Sequence, residues 1–283
     1  MSASKDILLI QEPVITFSHN YDEAPFSPND ARFNIHAHKV HEIFYFISGT
    51  AEYLVEGTVY SLKPGSILIM RSGELHKIQL KGEEPYERYV LNFSDDLVRK
   101  LDSSGELLKP FYNRPLGVGN YFSPNGARLG RIFETMRAID AIPNGSKMRK
   151  LALTTNLFSI LFELYMADQE REERGERLGT ANAMCAEILS YINEHLTESL
   201  SLTELCERFF ISKNHLNRIF KASTGVTVWE YVKVKRLSLA RDALYKGSTA
   251  SEACLLSGFR DYSAFYRAYK ERYGLSPKEM GRH

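Results

Sequence analysis

Four residues near the start of the chain, His36, His38, Glu42 and His76, are of the types that ligate a metal ion or hydrogen-bond a polar small molecule. Positions 36, 38, 42, 44 and 46 are all even, and even positions of a strand share one face. Both histidines and Glu42 therefore point the same way as Phe44 and Phe46. Three imidazoles and a carboxylate suit Zn, Fe, Mn or Ni, and an open coordination position would permit metal chemistry. The same groups also suit a polar wall that hydrogen-bonds a ligand or the fold itself, so both readings stand at this point. His41 falls on the opposite face, where the pattern expects exposure.

A second constellation occupies the last eighty residues. A short helix, a turn, a basic helix and a Gly-[Thr/Ser] stop are written twice, about 49 positions apart: LTELCERFFISKNHLNRIFKASTGVT from Leu202 and ASEACLLSGFRDYSAFYRAYKERYGLS from Ala250. Leu216 aligns with Phe265, Arg218 with Arg267, Phe220 with Tyr269, Lys221 with Lys270, Gly225 with Gly274 and Thr227 with Ser276. Cys206 falls on Cys254 one position out of step, which one inserted turn residue explains. A duplicated helix-turn-helix implies reading of double-stranded DNA at two adjacent places.

In the first unit Ser212 is placed to cap the reading helix, and Leu216, Ile219 and Phe220 face its core. Lys213, Asn214, Asn217, Arg218 and Lys221 are left outward. Asn suits adenine and Arg guanine, so Asn214, Asn217 and Arg218 are candidates for base edges, with Lys213 and Lys221 on phosphate. In the second unit Gly258 and Phe259 turn the chain and Asp261 caps the helix. Tyr262, Ser263, Tyr266 and Arg267 project toward the groove, with Lys270 and Arg272 reaching for the backbone. An isolated Lys or Tyr here is equally well a solvated helix face. Arg218 and Arg267 outweigh that reading because the repeat puts both at one position.

These residues need elements to hold them. From about Ile7 to Asn120 short alternating strands follow one another, in RFNIHAHKVHEIFYFI, AEYLVEG and TVYSL, with turns at SGT, EGT and KPGS. Strands so closely spaced imply an antiparallel sandwich or barrel such as a jelly roll. From Asn125 to Met166 the period becomes helical, with one stripe at Leu153, Leu157, Ile160 and Leu164 and another at Leu151, Phe158, Phe162 and Tyr165. A helix apolar on two sides needs two partners. The first stripe is heptad-like and suits a seam with a second subunit, and burial of both stripes within one chain fits equally. DQEREERGERLG at Asp168–Gly179 reads as a solvated linker. From Ala183 onward the pattern is helical, and Val228–Tyr245, with Val234, Leu237, Ala240 and Leu244 at helical spacing, would join the two units rigidly.

The bulk numbers agree with this division. Of 283 residues 43% are apolar and 25% charged, ordinary for a globular chain of two domains. The net charge of +1 hides a split: fifteen Lys/Arg against six Asp/Glu from Arg208 onward leave +9 there and −8 on the rest. One end is built to meet a polyanion. No apolar run approaches the roughly 20 residues of a membrane span, and MSASKDILLIQEP does not make a signal peptide, so no membrane partner and a cytoplasmic location are expected. Three cysteines, Cys185, Cys206 and Cys254, lack a C-x-x-C pair and read as small hydrophobes.

At this point the C-terminal hundred residues resemble the DNA-binding domain of the AraC family of bacterial transcription regulators. The stretch RLSLARDALYKGSTASEACLLSGFRDYSAFYRAYKERYGLSPKEM, Arg236 to Met280, carries the Gly-Phe turn, Phe-x-Arg-x-Tyr-Lys and Gly-x-Ser-Pro in register. Ala253-Cys254 stands where an Ile-Ala pair is usual and Ser257 where Val is usual, both packing changes. The resemblance implies two reading helices entering successive major-groove segments about 34 Å apart. Upstream, His36, His38, Glu42 and Gly49 resemble the first motif of the cupin barrel, and GSILIMRSGELH keeps Gly65, Gly73 and His76 of the second. Arg71 stands in place of its Pro and Leu80 in place of its Asn.

Together these expectations describe an α+β multidomain chain: a cupin-like effector-binding barrel over 1–125, a helical packing or dimerisation segment over 126–168, a charged linker over 169–182, and an all-α domain with two helix-turn-helix units joined by a long helix over 183–283. The implied function is transcription regulation under a small-molecule effector, a sugar or sugar derivative, held by His36, His38, Glu42, Phe44, Phe46 and His76. The expected partners are operator DNA, a second copy of the chain and, for an activator, RNA polymerase. No catalysis is expected, and no cofactor other than a divalent metal on His36, His38, Glu42 and His76. The rivals are a metal-dependent cupin enzyme fused to a DNA-binding domain and a dimeric regulator that needs no effector.

Overall fold

The computed structural model describes residues 15–23, 33, 35–175 and 183–280. Eight strands among them, all paired antiparallel, form two sheets. The larger has the order β1 (Ile15–Asp22), β7 (Tyr86–Phe93), β2 (His41–Ser48), β5 (Ile67–Met70) and β8 (Tyr121–Phe122). The smaller has the order β4 (Thr58–Ser61), β3 (Ala51–Val55) and β6 (His76–Leu80).

β2 is central, and both of its faces are buried, which is why HEIFYFIS reads as a continuous apolar run. Its even residues Phe44 and Phe46 pack with Leu68 and Met70 against Tyr53, Val55 and Ile78 of the smaller sheet. Its odd residues Ile43 and Tyr45 face a helical layer made by α3 (Ala127–Asp140) and α4 (Arg149–Glu173). Between β7 and β8 the chain forms α1 (Asp95–Arg99), a 3-10 turn at Glu106–Leu108 and α2 (Lys109–Tyr112), helical structure that the strand pattern had not signalled.

The closed cupin-like barrel, or jelly roll, is corrected by this topology. A barrel needs a neighbour on both sides of every strand. Among the described residues β1 and β8 end the larger sheet, β4 and β6 end the smaller, and only an isolated bridge, His36 with His76, joins β6 to the segment ahead of β2. The N-terminal domain is a mixed α+β unit with two open sheets and helices over one of them. Period-two alternation misled here because it reports which face is buried and says nothing about which edges are paired.

In α4 the stripe Leu153, Leu157, Ile160 and Leu164 is buried against α3 and the larger sheet. Of the other stripe, Phe158 packs on the same core, while Leu151 and Phe162 remain exposed. Arg128 and Arg131 of α3 pair with Glu163 of α4, and Arg128 also with Glu170. α4 runs to Glu173, six residues into the stretch that composition assigns to the linker; residues 176–182 lie outside the described ones.

The C-terminal domain is all helical: α5 (Ala183–Glu194), α6 (Leu202–Arg208), α7 (Lys213–Thr224), α8 (Val228–Tyr245), α9 (Ala250–Leu256), α10 (Tyr262–Tyr273) and α11 (Pro277–Met280). Leu202 and Ala250 open the leading helices and Lys213 and Tyr262 the reading helices, so the second copy does carry one extra turn residue, and Cys206 and Cys254 coincide once it is removed. α8 joins the two units as its pattern requires. Its first half, through Tyr231, Val232 and Val234, completes the core of α5, α6 and α7, and its second half, through Leu237, Ala240 and Leu244, that of α9, α10 and α11. Buried Ser257 turns its hydroxyl back to donate to the Ala253 carbonyl, 2.6 Å away, which absorbs the polar group in that core. Among the described residues no helix is long and apolar enough to cross a membrane.

Candidate functional site

Both reading helices are capped as their sequences suggest. The Ser212 hydroxyl accepts from the His215 N–H at 3.2 Å and the Asp261 carboxylate from the Ala264 N–H at 2.7 Å, while Gly225 and Gly274 close the helices in the left-handed conformation. Leu216 and Phe220 in α7, and Phe265 and Tyr269 in α10, face the core. Lys213, Asn214, Arg218 and Lys221 are exposed and Asn217 is half-buried; Tyr262, Ser263, Arg267 and Lys270 are exposed and Tyr266 half-buried. Each helix thus exposes polar and basic side chains along the face turned from its core.

Arg272 departs from its expected role. Its guanidinium turns away from the reading face and donates to the Ile35 carbonyl at 2.6 Å.

In the N-terminal domain the four chemistry-bearing residues come together from three elements. Glu42 lies on β2 and His76 opens β6. His36 and His38 lie on the segment ahead of β2, which reciprocal backbone bonds between His36 and His76, both 2.9 Å, hold in place. The rings of His36 and His76 lie 4.3 Å apart and those of His38 and His76 5.0 Å apart, centre to centre. The His38 Nε2 is 2.9 Å from a Glu42 carboxylate oxygen, and the Tyr53 hydroxyl donates to the other oxygen at 3.4 Å. Burial and the neighbouring His36 hold His76 well below the usual imidazole range, at about 3, so it is neutral. Burial alone would raise the Glu42 carboxyl, but the hydrogen bond with His38 leads the effects that more than offset it, and the carboxyl is held at about 2. Phe44 and Phe46 continue the same face into the core between the sheets.

His41 is on the opposite face as expected, but it is buried rather than exposed. Its ring packs on Phe93 and Phe111, its Nε2–H donates to Asp95 at 2.6 Å, and its Nδ1 accepts from the Ser72 N–H at 3.3 Å. The helices α1 and α2, absent from the strand pattern, are what cover it.

A third group of residues escaped sequence reasoning and joins the two domains. The β3–β4 turn places Glu56 and Gly57 at φ of 43° and 91°, the two left-handed positions of a tight hairpin. The buried Glu56 carboxylate accepts from Lys235 Nζ at 2.8 Å, from the Leu75 N–H at 2.8 Å and from the Tyr231 hydroxyl. A Cβ on Gly57 would lie 2.8 Å from Leu189, so α5 sits directly on the turn. Lys235 also donates to the Gly73 carbonyl at 2.9 Å.

The segment 35–39 adds a second junction. Ile35 and Ala37 are buried in the same apolar cluster as α5 to α8, and Lys39 lies over the Tyr245 ring at 5.3 Å. A cavity of about 350 Å³ remains between the domains, bounded by Ser72, Gly73, Lys235, Ser238 and Asp242. Charged residues inside the apolar period of α8, at Lys235 and Arg241, were the available signal for this contact. Their partners are on a hairpin turn and a loop that no periodicity marks.

Comparison with known proteins follows the same division. Residues 22–176 match the family model described as an AraC-like ligand binding domain, and residues 205–283 match a helix-turn-helix domain. The chain is 25% identical over 256 residues to an uncharacterized HTH-type transcriptional regulator, YfiF, of Bacillus subtilis, covering 86% of this chain and 77% of that one. It is 24% identical over 253 residues to the HTH-type transcriptional activator RhaS of Yersinia pseudotuberculosis, covering 88% and 89%. Among solved structures it is similar to ToxT from Vibrio cholerae at 14% identity, with a TM-score of 0.40 and 95% and 98% covered.

Proposed function

The chain belongs to the AraC family of helix-turn-helix transcription regulators, which bind DNA and are not enzymes, and from that premise we propose how its two domains work together. The effector is a small polar molecule, a sugar or sugar derivative, held at His36, His38, Glu42 and His76 with Phe44 and Phe46 behind them. Imidazole and carboxylate groups beside aromatic rings are the mixture that hydroxyl-rich ligands use, and relatives of this chain carry the name of transcriptional activators. Activation through RNA polymerase and dimerisation through the exposed Leu151 and Phe162 of α4 belong to the same reading.

The observation that carries it is the two-sidedness of residues 35–39. His36 and His38 face the polar cluster, while Ile35 and Ala37 are packed with the DNA-binding helices, and the Ile35 carbonyl takes a hydrogen bond from Arg272 at the end of α10. A ligand that moves the histidines moves the segment that grips a reading helix. For this to regulate, the ligand must bind the two arrangements with different affinity.

A thermal-shift screen of the full chain against monosaccharides and sugar acids should find a stabilising ligand, since binding to the folded state raises the melting point by mass action. His36→Ala with His38→Ala should abolish that shift while leaving operator affinity measurable. A double variant that responds normally would move the effector site elsewhere.

A further inference from the structure

We propose that His36, His38, Glu42 and His76 bind one divalent transition-metal ion, an inference that rests on reading the N-terminal domain as the effector domain and gives its polar cluster an inorganic occupant. One ligand nitrogen from each of the three histidines lies within 4.8 Å of the others, the only such group among the described residues. The His76 Nδ1 lies 2.8 Å from the Glu74 carbonyl and the His38 Nδ1 2.9 Å from the Val40 carbonyl. Each contact places a proton on Nδ1, because a carbonyl only accepts. That turns the Nε2 of both rings into the cluster, the His38 Nε2 toward Glu42 and the His76 Nε2 toward no partner, the arrangement by which a backbone carbonyl fixes the tautomer of a metal-ligating histidine.

Two observations leave a place for a positive centre beside His76. The His76 Nε2 is fully buried and has no hydrogen-bond partner. It lies 4.0 Å from the Glu42 oxygen that the His38 Nε2 approaches at 2.9 Å. An imidazole lone pair facing a carboxylate oxygen at that distance is repulsive unless a second proton or a metal ion stands between them. A proton on His38 answers that contact but leaves His76 Nε2 orphaned in the interior, at a cost comparable to a lost hydrogen bond. A metal ion answers both.

The donor set of three imidazoles and one carboxylate selects Zn(II), Fe(II), Mn(II), Co(II) or Ni(II) over thiolate-seeking ions; the three cysteines all lie in the C-terminal domain, outside this group. His36 and His38 are only partly buried, which leaves an entry path. Bonds of about 2.0–2.1 Å set ligand nitrogens about 3–4 Å apart. Binding therefore draws the 36–38 segment toward His76, along the same backbone that carries Ile35 and Ala37 into the DNA-binding domain.

The test uses the full chain, stripped with EDTA and dialysed, then titrated calorimetrically with Zn(II), Mn(II) and Co(II), with the visible spectrum of the Co(II) form as a second readout. One ion per chain and a Co(II) spectrum of nitrogen and oxygen ligation are expected. His38→Gln, at a partly buried position, and His76→Gln should each weaken binding by at least the roughly 10–100-fold that loss of even an outer-shell partner brings, with thermal melts showing that each variant stays folded. Absence of stoichiometric binding of all three ions, or binding unaltered in His38→Gln, overturns the proposal. Set beside the sugar screen, the titration separates the two readings: a sugar response in protein that binds none of the three ions retires the ion alone, and absence of both a sugar response and metal binding retires the effector site at this cluster.

Discussion

Arg218 and Arg267 stand at equivalent positions of α7 and α10, both exposed, yet their neighbours differ. Around Arg218 are Asn214, Asn217 and Lys221, amide and cationic groups able to make several base and phosphate contacts. Around Arg267 are Tyr262, Ser263 and Tyr266, which favour shape and backbone. Arg267→Ala should cost about 1–3 kcal/mol on the specific operator and relax selectivity at one base position, whereas Lys221→Ala should weaken binding uniformly and lower the salt slope by about 1. Gel-shift titrations on matched and mutated operators at several salt concentrations distinguish the two outcomes. Asp242 makes a different residue-level prediction. Its Oδ1 is buried beside the interdomain cavity without a hydrogen-bond partner, and burial pushes its carboxyl up despite Lys39, Arg241 and Lys246 nearby. A carboxyl raised in the folded state disfavours folding once it ionises, so Asp242→Asn should stabilise the protein at pH 7. The gain should shrink as the pH falls through the raised value toward the ordinary 3.8, where the native side chain is also neutral. Urea unfolding of both proteins at pH 7 and pH 4 measures it, and a gain independent of pH would refute the titration.

At the scale of elements, the two helix-turn-helix units fold alike but tolerate opposite substitutions in their turns. Phe210 and Gly258 both have positive φ, 53° and 81°. A Cβ at Gly258 would lie 2.7 Å from the Thr197 backbone, so Gly258→Ala should cost more than about 1 kcal/mol. Phe210 is almost fully exposed, and Phe210→Gly should be neutral to mildly stabilising, because the left-handed cost of about 1–2 kcal/mol is relieved against a larger unfolded-state entropy. Thermal melts of the two variants should move in different directions or differ clearly in size. The caps, the stops and the inserted turn residue were legible in the sequence, since each depends on neighbours within a few positions. The open sheets, the buried His41 and the helices at Asp95–Tyr112 were not, because edge pairing and the cover over a sheet face are decided by distant segments. The four-residue polar cluster was legible for its even spacing. What sequence could not supply was the orientation of the rings, which the Glu74 and Val40 carbonyls set.

For the molecule as a whole, the N-terminal domain holds the C-terminal ends of both reading helices and leaves their N-terminal halves clear. Leu54 of β3 lies against Gly225 at the end of α7, and the Ile35 carbonyl holds Arg272 at the end of α10. Between them the buried Glu56–Lys235 pair ties the hairpin to α8. Lys235→Met should destabilise the docked molecule by about 3–5 kcal/mol, since it removes one partner of a buried ion pair, and adding Glu56→Gln should recover most of that loss. Denaturant unfolding of the single and double variants checks it; a double variant no better than Lys235→Met would show that the pair is not what joins the domains. The segment 35–39, with a polar site on one side and a reading helix on the other, has a further consequence that works backwards. Coupling between two sites is a single free energy shared by both, so whatever factor an occupant of the histidine cluster imposes on operator affinity, the operator imposes on that occupant. DNA is then itself a ligand that tunes the sensor, and a molecule seated on its promoter would respond to a different effector concentration from one free in solution.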